Sequence, residues 1–206
     1  YASGAQKEQY LPDLLAGKMI LGLGMSEPGA GSAVTELVTS AKKVDGGYLI
    51  NGSKVFSTHS PEAGLFLVYV RFGPGLEGIG SVLVERGAPG LTVGNPSSFM
   101  SGEEWSQLYF EDCFIPDSAL LLGPGGFKKQ ISGFNVERIG NASRSLALGR
   151  YAFNKAKEYA LVREQFGKSI CEFQGIQWKF AEMAVKLDAA QMMLYRAAVN
   201  AEGRLP

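Results

Sequence analysis

"GLGMSEPGAGS", residues 22–32, is the stretch on which the reading of this chain turns. It gathers Gly22, Gly24, Gly29 and Gly31 around one acid, one proline and two serines. Glycine loses more backbone freedom on folding than any other residue, so a segment this poor in side chains is costly to order. Its composition implies that something approaches the backbone closely. The pattern alone is weak. Gly22-x-Gly24 lacks the third glycine of a dinucleotide fingerprint, and no Lys follows as in a phosphate-binding loop.

Outward from this stretch the sequence has two regimes. From about residue 34 to 122 it is strand-like. In "GGYLINGSKVFST", Asp45-Gly46-Gly47 and Asn51-Gly52 are turn signals between β-prone runs. "GLFLVYVRF", "GIGSVLVER" and "WSQLYFEDCFI" are further short runs rich in β-branched and aromatic residues. Many short strands without intervening helices predict an antiparallel barrel or sandwich. From about residue 126 the period changes. Ile176, Phe180, Met183, Ala184, Leu187, Ala190, Leu194 and Ala198 recur at three- and four-residue spacing, one apolar stripe of a long amphipathic helix. A second helix is expected from Phe127 to Arg163, with "EQFGKSICEF" separating the two and Gly167 as the helix stop. "GPGG", residues 123–126, is the expected hinge, and "AQKEQYLPDLLAGK" reads as the end of a preceding helical region. The expected fold class is α+β, with domains at 1–18 (the end of a helical domain), 19–123 (the β domain) and 124–206 (the first part of a helical bundle).

Composition bounds the function. In 206 residues, 20 bases balance 20 acids, which leaves no bulk charge to hold nucleic acid or an anionic membrane. No apolar run approaches the roughly 20 residues of a membrane span. Cys113 and Cys171 have no C-x-x-C partner, so a disulfide framework is not expected and a reducing compartment fits. A single histidine, His59, argues against a His-rich metal site, and no metal is expected. The chain begins at Tyr1 without a signal peptide and stops at "AEGRLP", apparently just after a helix. It reads as a piece of a longer protein that carries the rest of the active site.

"MSEPGAGS" resembles the first signature of the acyl-CoA dehydrogenase family, a Thr or Ser followed by E-P-G-A-G-S. "YLPDLLAGK", "YLINGSKVFST", "ERIGNASRSLALG" and "REQFGKSICEFQGIQWKFAEMA" resemble further segments in the family's order, closest to isovaleryl-CoA-type members. The resemblance covers nearly the whole chain. It implies a helical domain, a β domain and a helical bundle, bound FAD, and α,β-dehydrogenation of an acyl-CoA. It also implies electrons passing to an electron-transfer flavoprotein, a role in fatty acid and lipid metabolism, and a homo-oligomer, dimer or tetramer. The implied location is bacterial cytoplasm or mitochondrial matrix. The glycine-rich loop would then lie against the flavin and the ligand.

The resemblance also implies roles for individual residues. Leu23 to Ser32 would line the flavin, with Leu23, Met25, Ser26, Gly31 and Ser32 as contacts and Ser32 also touching substrate. Without it, either serine is better read as a turn or N-cap hydroxyl. Phe56 stands where the family often has Trp beside the ring, next to Ser57, and Thr58 where a hydroxyl bonds flavin N5. A core aromatic on a strand is the plainer reading of Phe56, and a satisfied loop histidine that of His59. Asn135, Val136 and Arg138 would contact the acyl-CoA. Arg163, Phe166 and Gln174 match positions that reach the FAD of a neighbouring subunit, and an Arg fork suits a pyrophosphate.

Glu137 is the candidate base. On a helix, Gly133, Gly140, Asn141 and Arg144 share its face, so a flat ligand could approach, and Phe134 could help desolvate it. Most Glu residues on helices simply make exposed ion pairs. "NVERIG" matches the minority of the family, isovaleryl-CoA and long-chain members, that place the base here; the others place it beyond this chain.

Some segments depart from the family. "PSSFMSGEEWSQLYF" is shorter and more acidic than usual, and Glu103 and Glu104 would be poor neighbours for CoA phosphates. Phe173 replaces a His common in several members, and Lys128 stands where isovaleryl-type members carry an aromatic near the acyl pocket. These leave open a polar acyl group or an acyl-carrier protein as thioester carrier. A same-fold oxidase or monooxygenase using oxygen, and a relative that keeps the fold without catalysis, also stand as alternatives. Acyl length, branching and polarity are not legible.

Overall fold

The computed structural model describes residues 1–201; residues 202–206, within the closing stretch expected to follow a helix, lie outside the described residues. It divides into two compact units, Tyr1–Gln130 and Ile131–Pro206.

The first unit opens with α1 (Gly4–Leu15). Ser3 and Gln6 form a reciprocal capping box that satisfies two orphan N–H groups. Beyond the helix Gly17 turns left-handed at φ +68°, and its N–H returns to Leu14 O. The sheet follows: β1 (Leu21–Gly24), β2 (Ser40–Val44), β3 (Gly47–Thr58), β4 (Leu65–Arg71), β5 (Ile79–Glu85), β6 (Leu91–Val93), β7 (Ser97–Ser98), β8 (Glu104–Pro116) and β9 (Leu120–Leu122). The order is β6-β8-β3-β2-β4-β5-β9, with β1 also on β4 and β7 on β8. It is an open, sandwich-like sheet, not a closed barrel. It is not wholly antiparallel either, because β1 and β2 each meet β4 in parallel.

The core is the face on which Ile50, Phe66, Val68, Val70, Val82, Val84, Leu108, Phe110 and Ile115 meet. Burying such side chains is worth about 1.5–3 kcal/mol each. Asp45-Gly46 makes the expected β2–β3 turn, with Gly46 at φ +72°. Asn51-Gly52 does not turn the chain. β3 runs straight through it, and the pairing with β8 shifts by a bulge between Ile50 and Gly52. A Cβ on Gly52 would stand 2.6 Å from Thr39 Oγ1, so glycine is needed for close approach. Asn51 is taken up across the strands: its Nδ2 donates to Asp112 Oδ1, and its Oδ1 accepts from the Asp112 N–H.

A charge pair lies inside this unit. Lys54, on β3, is fully buried, and its Nζ lies 2.7 Å from Glu27 Oε1 and 3.2 Å from Met25 O. The Glu27 carboxylate also accepts the Val38 and Thr39 N–H groups, and Glu27 exchanges two backbone bonds with Ala30. Burial pushes the Lys54 ammonium down to about 8, against the pull of Glu27. Burial alone would raise the Glu27 carboxyl, but bonds from Lys54, Thr39 and Val38 outweigh it and hold it below its ordinary value.

The second unit holds α3 (Phe134–Val162) and α4 (Gln174–Asn200), entered through α2 (Phe127–Ser132). The single helix expected over 127–163 is thus two, broken at Gly133. α3 and α4 run antiparallel: Phe153 meets Phe180 edge-on at 5.6 Å, and Arg150 pairs with Asp188 at 3.1 Å. Along the expected stripe Ile176, Phe180, Met183, Ala184, Leu187 and Leu194 are half-buried, whereas Ala190 and Ala198 are exposed. Gly167 is not the helix stop. α3 ends at Val162 with Arg163 as its cap, and β10 (Glu164–Gln165) and β11 (Lys168–Ser169) form a two-residue hairpin around Phe166-Gly167. Both turn residues have positive φ, 53° and 75°, the geometry that matches strand twist in tight hairpins.

The buried pair carries a test. Lys54→Met strands the Glu27 carboxylate and is expected to cost about 3–5 kcal/mol in chemical denaturation. Glu27→Gln/Lys54→Met removes both charges and should cost clearly less than the single change. Because the Glu27 carboxyl is held low, its contribution is present above the ordinary carboxylate range and lost as pH falls through its lowered value. The double variant should therefore lose less stability on acidification than the parent. Equal acid sensitivity would count against the assignment.

Candidate functional site

The glycine-rich loop resolves into two halves with different reasons for their glycines. Gly22 and Gly24 are buried on β1. A Cβ on Gly22 would stand 2.8 Å from the Phe66 ring, and one on Gly24 3.3 Å from Lys54 Cγ. The protein's own core excludes bulk there. Gly29 and Gly31 are exposed, and a Cβ at either would meet nothing within 4 Å. Only this second half presents bare backbone outward, around the turn from Glu27 to Ala30 closed by N–H···O bonds of 3.0 and 3.1 Å.

The structure brings the start of the loop to the end of β3. Ser26 O accepts the Val55 N–H at 2.9 Å, which sets Met25 and Ser26 beside Val55 and Phe56. Here β3 bulges again: pairing with β8 jumps from Lys54–Leu108 to Ser57–Ser106. Phe56, in the bulge, has φ +55°, and His59 follows at φ +58°. Strain of this kind is rare for bulky residues and collects at functional sites. Phe56 is no core aromatic; it is 58% exposed. Its ring leans on Trp105 at 4.7 Å, and Trp105 stacks on Phe99 at 5.9 Å. Ser57 turns inward and is fully buried, whereas Thr58 is half-exposed and pairs with Trp105. His59 is exposed beside Glu62 at 3.5 Å. Leu23 and Ser32 are exposed.

The bulge, the exposed ring and the outward glycines fit a flat aromatic group laid against this surface. The sequence reading missed two parts of it. One is the Phe99–Trp105 support, whose signal was an aromatic pair bracketing an acidic turn. The other is Lys54, whose signal was a cation at an inward strand position.

In the second unit Asn135, Val136, Glu137 and Arg138 lie in the first turns of α3, all exposed. Asn141 Nδ2 donates to Glu137 Oε1 at 3.1 Å, so the shared face is real. The dry surroundings expected from Phe134 are not formed within this unit, and the Phe134 ring instead faces the Arg138 guanidinium at 6.0 Å. An acid in a helix's first turn is also favoured by the helix dipole. Arg163, Phe166 and Gln174 come together around the hairpin. Arg163 O accepts the Ile170 N–H, Phe166 meets Phe173 at 6.3 Å, and Gln174 begins α4. Lys128 is exposed on α2. Among the described residues there is no cluster of His, Cys, Asp and Glu able to hold a metal, and no helix long and apolar enough to cross a membrane.

Comparison with known proteins adds an independent line. Residues 22–113 match the family profile "Acyl-CoA dehydrogenase, middle domain", and residues 124–205 match "Acyl-CoA dehydrogenase, C-terminal domain". The chain is 37% identical over 203 residues to the mitochondrial isovaleryl-CoA dehydrogenase of Oryza sativa, covering 96% of this chain and 50% of that protein. It is 35% identical to the L-prolyl-[peptidyl-carrier protein] dehydrogenase of a Serratia strain, covering 96% and 52%. The solved FAD complex of PigA is similar at 31% identity with a TM-score of 0.85, over 100% of this chain and 55% of that one. The chain thus spans about half the length of the curated relatives it matches. With the two profiles together matching most of its length, the chain belongs to the acyl-CoA dehydrogenase family.

Proposed function

We propose that the whole protein is an FAD-dependent dehydrogenase that introduces an α,β double bond into an acyl thioester. The observation that carries this reading is the surface at β3's second bulge, where the strained and exposed Phe56 stands beside the start of the glycine-rich loop. Its likeness to a chain solved with FAD supports the cofactor.

In this reading Leu23, Met25, Ser26, Gly31 and Ser32 give the flavin a backbone-lined edge. Phe56 would give it an apolar face, and Ser57 and Thr58 lie at the same bulge, where the Thr58 hydroxyl would supply a hydrogen bond to the flavin. Bound FAD would supply a two-electron acceptor for the β-hydrogen, which no side chain of this protein can provide. Glu137 takes the α-proton, with its carboxylate oriented by Asn141. Asn135, Val136, Arg138, Lys128 and Ser32 hold the thioester, and residues outside the chain would complete a dry pocket around Glu137. Arg163, Phe166 and Gln174 reach the flavin of a neighbouring subunit, which makes the protein a homodimer or a tetramer. Electrons leave to an electron-transfer flavoprotein, in a mitochondrial matrix or a bacterial cytoplasm. We propose the domain division at 1–18, 19–123 and 124–206 for the same reason.

A second reading concerns the carrier alone. Glu103 and Glu104, on the turn from β7 into β8, are exposed acids unsuited to CoA phosphates, and one relative is named for a carrier-bound prolyl substrate. An acyl-carrier protein in place of CoA follows from those two observations.

Three measurements test the proposal. The purified full-length protein should absorb between about 350 and 480 nm as oxidised flavin; folded protein that stays colourless with added FAD refutes the cofactor. Glu137→Gln should keep flavin and ligand binding while slowing substrate reduction of the flavin by ~10²-fold or more in rapid mixing. Near-normal reduction would move the base outside this chain. Arg163→Ala subunits mixed with Ser26→Trp subunits should regain flavin binding in mixed oligomers, since one site would draw its loop and its Arg from intact partners. Proven subunit exchange without recovery would deny the shared site.

A further inference from the structure

Arg71, the last residue of β4, uses its guanidinium on main-chain carbonyls. Its Nε donates to Leu37 O at 2.8 Å, its Nη2 to Thr35 O at 2.7 Å, and its Nη1 to Gly75 O at 2.7 Å and Gly73 O at 3.4 Å. Its backbone N–H donates to Thr39 O at 2.8 Å. Among the described residues no carboxylate pairs with it. An Arg fork is planar and rigid, so carbonyls bonded to it are fixed relative to one another, which a single ammonium cannot do.

The two sets of carbonyls belong to different segments. Gly73 and Gly75 lie in the β4–β5 connection, which is tightly closed: Phe72 N–H donates to Gly78 O at 2.7 Å, and a Cβ on Gly78 would collide with Gly73 O at 1.9 Å. That connection is a rigid base. Thr35 and Leu37 belong to the outgoing limb of the glycine-rich loop, a single 3₁₀ turn at Val34–Glu36 ending on the fully buried Leu37. The incoming limb is held by the Glu27–Ala30 bonds and by Lys54 Nζ on Met25 O and Glu27 Oε1, and the Glu27 carboxylate also takes the Val38 and Thr39 N–H groups, so that Arg71 adds the grip on Thr35 and Leu37 just before them. Between these two anchors Gly31, Ser32 and Ala33 are exposed. A segment with so few contacts of its own is placed by what grips its ends.

We infer that Arg71 is a positioning residue: by clamping Thr35 and Leu37 to the β4–β5 connection, it sets the outgoing limb and with it the presentation of Ser32. The inference rests on the reading above for what Ser32 touches, and on the hydrogen bonds alone for how Ser32 is held.

The test uses three variants of the full-length protein. Arg71→Met removes the fork and keeps the stem; Arg71→Lys keeps the charge without the fork; Val82→Ala destabilises the buried β5 face and leaves the loop untouched. Backbone hydrogen exchange over residues 30–39 should accelerate by about tenfold or more in Arg71→Met and by nearly as much in Arg71→Lys. In Val82→Ala it should stay at the parent rate under conditions where all are folded. FAD affinity, followed by flavin fluorescence, should weaken by about tenfold in the two Arg71 variants alone. Unchanged exchange in Arg71→Met overturns the inference. Faster exchange with parental FAD affinity overturns the link from clamp to ligand. Full rescue by Lys reduces Arg71 to a charge. If the parent itself takes no FAD, the proposed function falls, and the exchange rates alone decide whether Arg71 sets the limb.

Discussion

The first unit depends on a cation that has no water. Lys54 enters the sheet interior at a position its neighbours use for apolar packing, and the charge that answers it there is Glu27. Taking both charges out of water is expensive, and replacing such a pair by well-packed apolar groups is often no loss in stability. What the pair supplies is position. Lys54 ties Met25 and Glu27 to β3 immediately before the bulge that exposes Phe56. Glu27 in turn holds the N–H groups of Val38 and Thr39. The loop, the bulge and the start of β2 are therefore in register through one ion pair, and a misplaced loop leaves a buried charge without a partner.

Much of the fold was legible because it follows local rules. The strand runs, the Asp45-Gly46 turn and the helical stripe are periodicities and turn chemistry that a sequence displays directly. Two turn signals were misread. Asn51-Gly52 has the chemistry of a turn, but Thr39 leaves no room for a Cβ at residue 52 and Asp112 engages Asn51, so tertiary contacts made it a bulge. Gly167 has the chemistry of a helix stop, yet the stop comes earlier and the glycine serves a hairpin. Both glycines do adopt positive φ, but contacts from Thr39 and Asp112 decide the outcome at Asn51-Gly52, whereas at Gly167 a local hairpin does.

The site shows the same limit. Glycines 22 and 24 look identical to 29 and 31 in the sequence, but only a structure reveals that the first pair makes room for Phe66 and Lys54. The motif that suggested a ligand is thus half a packing device. Phe56, read as a plain strand aromatic when taken alone, proves exposed and strained because the bulge removes it from the ladder. The Glu27–Lys54 pair and the Arg71 bonds to Leu37 and Thr35 join positions 27, 34 and 36 residues apart, and no periodicity links them.

The hairpin at Phe166-Gly167 bears on what selection has acted upon. Its first turn position requires positive φ, where Asn or Gly sits without strain and a bulky aromatic does not. A sequence tuned for that turn alone would carry Asn-Gly. Phe166 instead accepts the unfavourable backbone and leaves its ring 94% exposed, a second penalty for an apolar side chain in water. Covering the ring by something outside the unit that carries it would remove the second penalty and offset the first. In the proposed reading, where Phe166 reaches a neighbouring subunit, the turn gives up local stability for recognition.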